Sequence, residues 1–300
     1  MAFHVQNIPK KKGGKGKFVF TSEMAWAIPF FLVLLLLVLF PFVFIFIDAF
    51  TNVTQDGYIY LTLNNFAEYF SSNEFLLATG RSLYFALIAT IICLVIGYPV
   101  AYFIGRTKAK VRNILVLLLM IPMWINMLLR ILAWKQIFTM VETWTGLELL
   151  GTDFAIIFGM VYDYLPFMII PIYTSIMKID TSYFEASRDL GANGLKTFNR
   201  ITVPLSMPGI ISGITMVFLP AATTLIIPDK LGGGNPRYFL IGNLIESYFI
   251  KQSNPYVGSA IALVLSLIIL LMVFLINRLD RTVVKDEVPA KRKMKKGAAA

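Results

Sequence analysis

The chain has 300 residues, of which 57% are hydrophobic and 15% charged, with a net charge of +10. A soluble domain carries about 25% charged residues, so the composition points to a membrane protein. One cysteine (Cys93) and one histidine (His4) exclude a disulfide framework, a CxxC metal site and most triad or zinc chemistry.

Residues 1–23 are polar, with five lysines among glycines, and read as a basic cytoplasmic tail. The apolar run that follows is too long for the core of a signal peptide and has no small-residue cleavage site. Met24 to Ile47 carries no charge and is long enough for the roughly 20 residues a bilayer core requires. Asp48 to Gly80 is an acidic loop. Ser82 to Gly105 is a second uncharged span, followed by the basic loop Arg106, Lys108, Lys110 and Arg112. Asn113 to Trp134 reads as a third span interrupted by Arg130. Phe154 to Met177 is a fourth, interrupted by Asp163 and by Pro166 and Pro171. Met207 to Pro228 is a fifth and Val257 to Asn277 a sixth. Between the last two lie a Gly232-Gly233-Gly234 turn and Leu240 to Phe249, expected as a short interfacial helix. Residues 278–300 form a second basic tail, so the membrane-spanning body is 24–277.

Charge sets the expected orientation. The N-terminal arm holds five Lys/Arg, the 106–112 loop four, the 178–200 stretch four and the C-terminal tail eight, which is 21 of 27 on one side of a six-span chain. The positive-inside rule then places both termini and the 178–206 loop in the cytoplasm. The charge excess is a topology signal and calls for no nucleic acid; a basic tail beside anionic lipid headgroups accounts for residues 281–296.

The 178–206 loop is too long and too patterned for a linker. Asp180 or Thr181 can cap a short helix in which Tyr183, Ala186, Ser187 and Leu190 share a face. Gly191 is placed to end that helix in a left-handed conformation. Leu195 and Phe198 continue into a second short helix, which Pro204 is expected to close. The product is helix, glycine turn, helix across the membrane surface. On physics alone an interfacial amphipathic loop without a partner fits as well.

Asp163 is the costly residue of the spans. A carboxylate at mid-membrane costs about 2.5–3.5 kcal/mol on insertion scales, so it should face a wet cavity or a partner, and Arg130 is the obvious partner. Trp134, Tyr162 and Tyr164 can offer π faces to ammonium groups. Pro166 and Pro171 release the carbonyls of Tyr162 and Phe167 from helical bonding. Glu246 can stand at the outer mouth, and an ordinary exposed loop acid fits it equally well. No nucleophile–base pair or carboxylate pair shares a face, so neither a catalytic nor a metal site is expected. Gly232-Gly233-Gly234 lacks the Lys and Ser/Thr of a phosphate loop.

The pattern Glu185-Ala186-Ser187, three residues, Gly191, nine residues, Ile201, one residue, Val203-Pro204 resembles the EAA motif of binding-protein-dependent ABC importer permeases. Ser187 and Val203 depart from the family form conservatively. The runs Met127 to Trp134, Val161 to Met168, Ile227 to Gly234 and Leu240 to Ile245 are similar to the spermidine/putrescine permease subfamily, nearest to its first permease subunit. The resemblance covers most of residues 25–280. It implies an all-α, six-span type I importer permease fold, with both termini inside, in the bacterial plasma membrane. It further implies a cytoplasmic coupling helix in which Glu185, Ala186, Ser187, Asp189, Gly191 and Ala192 dock an ATPase. The partners it implies are a second permease subunit in a heterodimer, an ATPase dimer that alone binds ATP and Mg, and an extracytoplasmic polyamine-binding protein. The substrate path would include Asp163, Tyr162, Tyr164, Trp134 and Glu246. A permease of this architecture for molybdate, sulfate, iron or thiamine, or a secondary transporter driven by an ion gradient, are the alternatives.

Overall fold

The computed structural model describes residues 22–54 and 56–297; most of the N-terminal basic tail lies outside them. The chain divides into two units at residues 45 and 46.

The first unit contains most of helix α1, Ser22–Ala49. Its side chains from Pro29 to Phe44 are all exposed, Leu37 at 72%. Sixteen successive exposed apolar residues need lipid or another subunit around them.

The second unit starts with a two-stranded antiparallel hairpin, β1 (Thr51–Val53) and β2 (Ile59–Leu61), with Asn52 opposite Tyr60. Helix α2 (Asn64–Ser71) and helix α3 (Asn73–Arg106) follow. The expected acidic loop 48–80 is therefore structured, and the second span begins nine residues early. Phe75 and Ala78 explain this: they are buried with Tyr69, Ile241, Leu244, Val257 and Ile261 in a separate apolar cluster.

The expected third span is broken. Helix α4 (Ala109–Trp124) and helix α5 (Met127–Thr145) meet at 89°. Pro122 has no N–H to give the preceding turn. Ile125 and Asn126 are extended, and the Asn126 side chain accepts the N–H of Leu128 at 2.8 Å, starting a new helix. Helix α6 (Asp153–Met177) runs unbroken through both prolines, with Thr152 as its N-cap. Helix α7 (Thr181–Asp189) and the one-turn helix α8 (Gly194–Thr197) make up the polar loop, and helix α9 (Val203–Thr223) is next.

The expected fifth span stops at Thr223. Helix α10 (Ile226–Leu231) starts after two non-helical residues, and helix α11 (Ile241–Glu246) covers the break. Asn243 Nδ2 donates to the Leu225 carbonyl at 2.8 Å, a group that also accepts the Asp229 N–H at 3.2 Å at the start of α10, so α11 is tied to the break. Gly242 lies so close that a Cβ there would sit 2.7 Å from the Thr223 carbonyl oxygen. Only part of the stretch 240–249 can lie at an interface as expected: Leu240 to Leu244 are all buried, while Phe249 is exposed, and the Ile241 N–H donates to Ser82 Oγ at 2.9 Å. Helix α12 (Pro255–Gly297) continues past the expected end of the sixth span, through most of the basic segment taken as a tail.

Among the described residues, five helices qualify as spans by length and apolarity, and six if the bent α4–α5 pair counts as one. The core lies where α3, α6 and α9 meet. Here small residues let backbones approach, as membrane helices require in the absence of a hydrophobic drive. A Cβ on Gly209 would stand 2.6 Å from the Pro171 carbonyl oxygen, and one on Gly213 would stand 2.7 Å from Met168 Sδ. Cys93 is buried in this core.

Candidate functional site: the 178–206 loop and the Arg130–Asp163 pair

The loop is built from local rules that its sequence obeys. Asp180 is the N-cap of α7, and its carboxylate accepts the Ser182 N–H at 2.9 Å. That backbone hydrogen bond holds the Asp180 carboxyl below its ordinary pKa. Gly191 is left-handed at φ +71°, and its N–H donates to the Arg188 carbonyl at 2.9 Å. The Ala192 N–H reaches the Ser187 carbonyl at 3.0 Å. Asn193 then caps α8, accepting the Lys196 N–H at 2.9 Å.

Pro204 does not close the second helix. A five-residue π-helical turn, Phe198–Thr202, joins α8 to α9, and Pro204 sits in the first turn of α9. Proline is accommodated there because the π turn before it already departs from the regular helical ladder. Gly194 to Thr223 is consequently one apolar helical run.

Ser187, the departure from the motif, has a specific partner. Its Oγ lies 2.7 Å from Thr197 Oγ1, and both residues are buried. An alanine there would leave the Thr197 hydroxyl with only its bond to the Asn193 carbonyl at 3.1 Å. Phe198 packs edge-on against Tyr98 and Tyr102 of α3. Arg106, at the end of α3, lies 5.0 Å from the Tyr102 ring centre and 4.7 Å from that of Phe184 on α7.

The six loop residues do not share one surface. Ala186, Ser187, Gly191 and Ala192 line a cavity of 390 Å³ together with Tyr183 and Leu190. Glu185 lines a different cavity, of 410 Å³, beside the ends of α3 and α4. Asp189 is exposed and lines neither. Leu190 and Leu195 are 87% and 69% exposed. The apolar contacts expected of Leu195 are not made within the chain, and the loop displays apolar side chains outward.

At the α5–α6 contact, Arg130 Nη2 approaches Asp163 Oδ1 to 2.7 Å, with the side chains 9% and 4% exposed. The approach lies off the hydrogen-bonding direction, so the attraction is mainly Coulombic; Arg130 Nε and Nη1 are buried without a partner. Trp134, one turn along α5 from Arg130, packs on Tyr162 at 5.3 Å, and the Arg130 guanidinium lies 6.0 Å from the Tyr162 ring. Arg130, Trp134, Tyr162 and Asp163 therefore form one cluster. Tyr164 points elsewhere, donating to the Pro220 carbonyl of α9 at 3.3 Å. Glu246 stands on α11, and among the described residues no hydrogen bond or ion pair joins it to the cluster. The α5 break is what aims Arg130 at α6. Its signal in the sequence was a lone Asn126 inside an apolar run, four residues after Pro122.

On the far side of the core from the loop, Asp153 accepts from the Tyr238 hydroxyl at 2.7 Å and pairs with Arg237 at 3.4 Å. Burial and this hydrogen bond raise the Tyr238 pKa. Gly233 and Gly234, both at positive φ, close the turn against Gly151, whose N–H donates to the Leu231 carbonyl at 2.9 Å.

A close-packed set of span-length helices, with an ordered polar loop on one side and a buried charge pair within, defines a polytopic membrane protein. Residues 93–285 match the family of binding-protein-dependent transport system inner membrane components, and the chain belongs to that family. It is a multi-pass protein of the bacterial inner membrane. It is 37% identical to the spermidine/putrescine transport system permease protein PotB of Haemophilus influenzae over 248 residues, 78% of this chain and 86% of that one. It is 41% identical to PotB of Escherichia coli K12 over 67% of this chain and 76% of the relative. The fold is that of type I ABC importer permeases. A chain of a bacterial ABC transporter importing the acidic polysaccharide alginate superposes with a TM-score of 0.72, at 16% identity, over 87% of this chain and 95% of that one. A chain of the methionine ABC transporter MetNI superposes at 0.57, with 20% identity, over 69% and 94%.

Proposed function

We propose that this chain is a transmembrane subunit of an ATP-driven importer of polyamines of the spermidine and putrescine class. The observation that carries the reading is the 37–41% identity to two spermidine/putrescine permeases over at least two thirds of each chain. The chain itself hydrolyses nothing. It works as a heterodimer with a second permease subunit, with an ATPase dimer that binds ATP and Mg, and with an extracytoplasmic polyamine-binding protein. The ordered loop is the coupling element, and Leu190 and Leu195 are exposed apolar side chains that a soluble partner can cover. A helix fixed by caps and a glycine turn transmits displacement, which a slack loop would not.

The Arg130–Asp163 cluster supports a cationic substrate. A carboxylate held by a guanidinium that lacks full hydrogen bonding is a site where a substrate ammonium can compete for the charge, beside the π faces of Trp134 and Tyr162.

The test is uptake of labelled spermidine in cells lacking their own polyamine importers, with this chain and its neighbouring transport subunits supplied. ATP-dependent uptake that unlabelled putrescine inhibits and molybdate or sulfate does not is the expected result. Uptake that persists without the ATPase overturns the ATP-driven reading. Uptake of another solute with no spermidine transport overturns the polyamine reading. Glu185→Arg should remove coupling; unchanged transport and ATPase co-purification in that variant would sink the account of the loop.

A further inference from the structure

The cavity that takes in Glu185 also takes in three arginines from three different elements: Arg106 at the end of α3, Arg112 in the first turn of α4 and Arg188 on α7. Its volume of 410 Å³ lies within the about 300–1,000 Å³ of ligand pockets. Among the described residues none of the three forms an ion pair. Arg112 has poor company: Nη1 donates only to the Met177 sulfur at 3.4 Å, and Nε is buried with no partner. The Arg106 guanidinium is held by two aromatic faces, which leaves its in-plane donors without an acceptor. Against these three cations stands one carboxylate, Glu185.

We propose that this cavity is an anion site for a phosphate ester, and that its occupant is the headgroup of an anionic phospholipid of the cytoplasmic leaflet. The chemistry follows from the donors, since guanidinium forks match phosphate oxygens in geometry as well as charge. The source follows from position. Arg106 ends a span-length helix and Arg112 begins the next apolar one, which sets the cavity at the membrane boundary on the basic side of the chain. Ile176, Met177 and Phe184 in its wall suit the glycerol and first acyl carbons of a lipid better than a fully hydrated ion. A lipid here bridges α3, α4 and α7, so it ties the 178–206 loop to the bilayer.

The experiment is native mass spectrometry of the intact complex released from nanodiscs of mixed phosphatidylglycerol and phosphatidylethanolamine. The wild type should retain phosphatidylglycerol selectively. R106Q/R112Q should retain roughly 30-fold less, the factor expected for the loss of two membrane-proximal cations. K251Q, in the loop before α12, should match the wild type. Equal retention of the two lipids, or retention unchanged in R106Q/R112Q, overturns the site. If inorganic phosphate displaces phosphatidylglycerol at equal concentration, the site takes a soluble phosphate and the lipid assignment fails. Should the double variant not assemble, a photoactivatable phosphatidylglycerol on the wild type decides: crosslinks in 105–112 and 177–188 support the site, and crosslinks elsewhere only refute it. None of these readouts depends on polyamine transport or on ATP hydrolysis.

Discussion

Replacing Asp163 with Asn removes the charge that stands 2.7 Å from the Arg130 guanidinium. Arg130 Nε and Nη1 already lack partners in buried surroundings, so nothing nearby takes up the load. Removing one member of a buried ion pair costs about 3–5 kcal/mol, because the other charge stays desolvated. At 1.4 kcal/mol per factor of ten, that is roughly two to three and a half orders of magnitude in the folded-to-unfolded ratio. Removing both charges should behave differently. R130M/D163L fills similar volume without a charge, and such exchanges are often neutral or stabilising. The α5–α6 contact would survive on its rings, since Trp134 and Phe138 both pack on Phe158, at 4.5 and 5.4 Å. The assay is thermal inactivation of the purified complex in detergent, with spermidine uptake measured in parallel. D163N should be much less stable than wild type, and the double variant close to wild type. Uptake separates structure from transport: the double variant should be stable yet defective. A D163N protein as stable as wild type would refute the desolvation argument. A stable double variant with normal uptake would show that the pair has no part in the path.

Three further outcomes are expected. Gly209→Val places a Cβ 2.5 Å from Ser175 Cβ and 2.6 Å from the Pro171 carbonyl oxygen, an overpacking of about 1–3 kcal/mol or more; the complex should melt at lower temperature, and an unchanged melt would disprove the tight α6–α9 contact. Gly191→Ala meets no neighbouring atom but must adopt φ +71°, at about 1–2 kcal/mol; amide exchange across 181–192 should speed up while that of α3, α6 and α9 stays as in wild type. Because the folded-state pKa of Asp180 is depressed, the capping contribution is present above the unfolded value of about 3.9 and is lost as pH falls through the folded value. Protection of the Ser182 amide should therefore drop in acid, and D180N should remove the pH dependence while keeping a cap.

The parts that could be read in advance are those decided within a few residues. The Asp180 cap and the left-handed Gly191 depend on local backbone chemistry, and each stands where spacing placed it. The apolar runs placed both ends of the fourth span and the C-terminal end of the second to within one residue for the same reason. The breaks at Ile125–Asn126 and Thr224–Leu225 depend on distant partners. A helix can stop inside apolar surroundings only if another element takes its freed groups, and here the hydroxyl of Tyr164, 56 residues from Pro220, donates to the Pro220 carbonyl at the end of α9. Pro204 misled because a proline reads equally as a stop or as a first turn, and the π-turn before it decides between them. The charge pair was half legible. The cost of a mid-span carboxylate demanded a partner, but the 89° bend that aims Arg130 is a tertiary fact. Ser187 looked like a conservative substitution, and its reason is a hydroxyl ten residues away.

On the proposed reading, the loop must pass a displacement of α7 into the spans, and the contacts define where it enters. One connection is the buried Ser187–Thr197 pair, because Thr197 lies in the helical run that continues without interruption to Thr223. The other is the stack of Phe184, Arg106, Tyr102 and Phe198, which links α7 to α3 and back to the same run. A cation–π contact contributes only about 0.5–2 kcal/mol, so the stack sets the position of α7 more than it resists load. Load passes through the continuous helix. From α9 it reaches α6 at Gly209 and Gly213, where backbone meets side chain with no space for slip. Asp163 lies on that same α6, one turn and a residue before Met168, which Gly213 contacts. The close-packed glycines, and not the flexibility of the polar loop, are therefore what connects a cytoplasmic motion to the buried pair. Loosening them should uncouple ATP hydrolysis from uptake even where α7 still binds its partner.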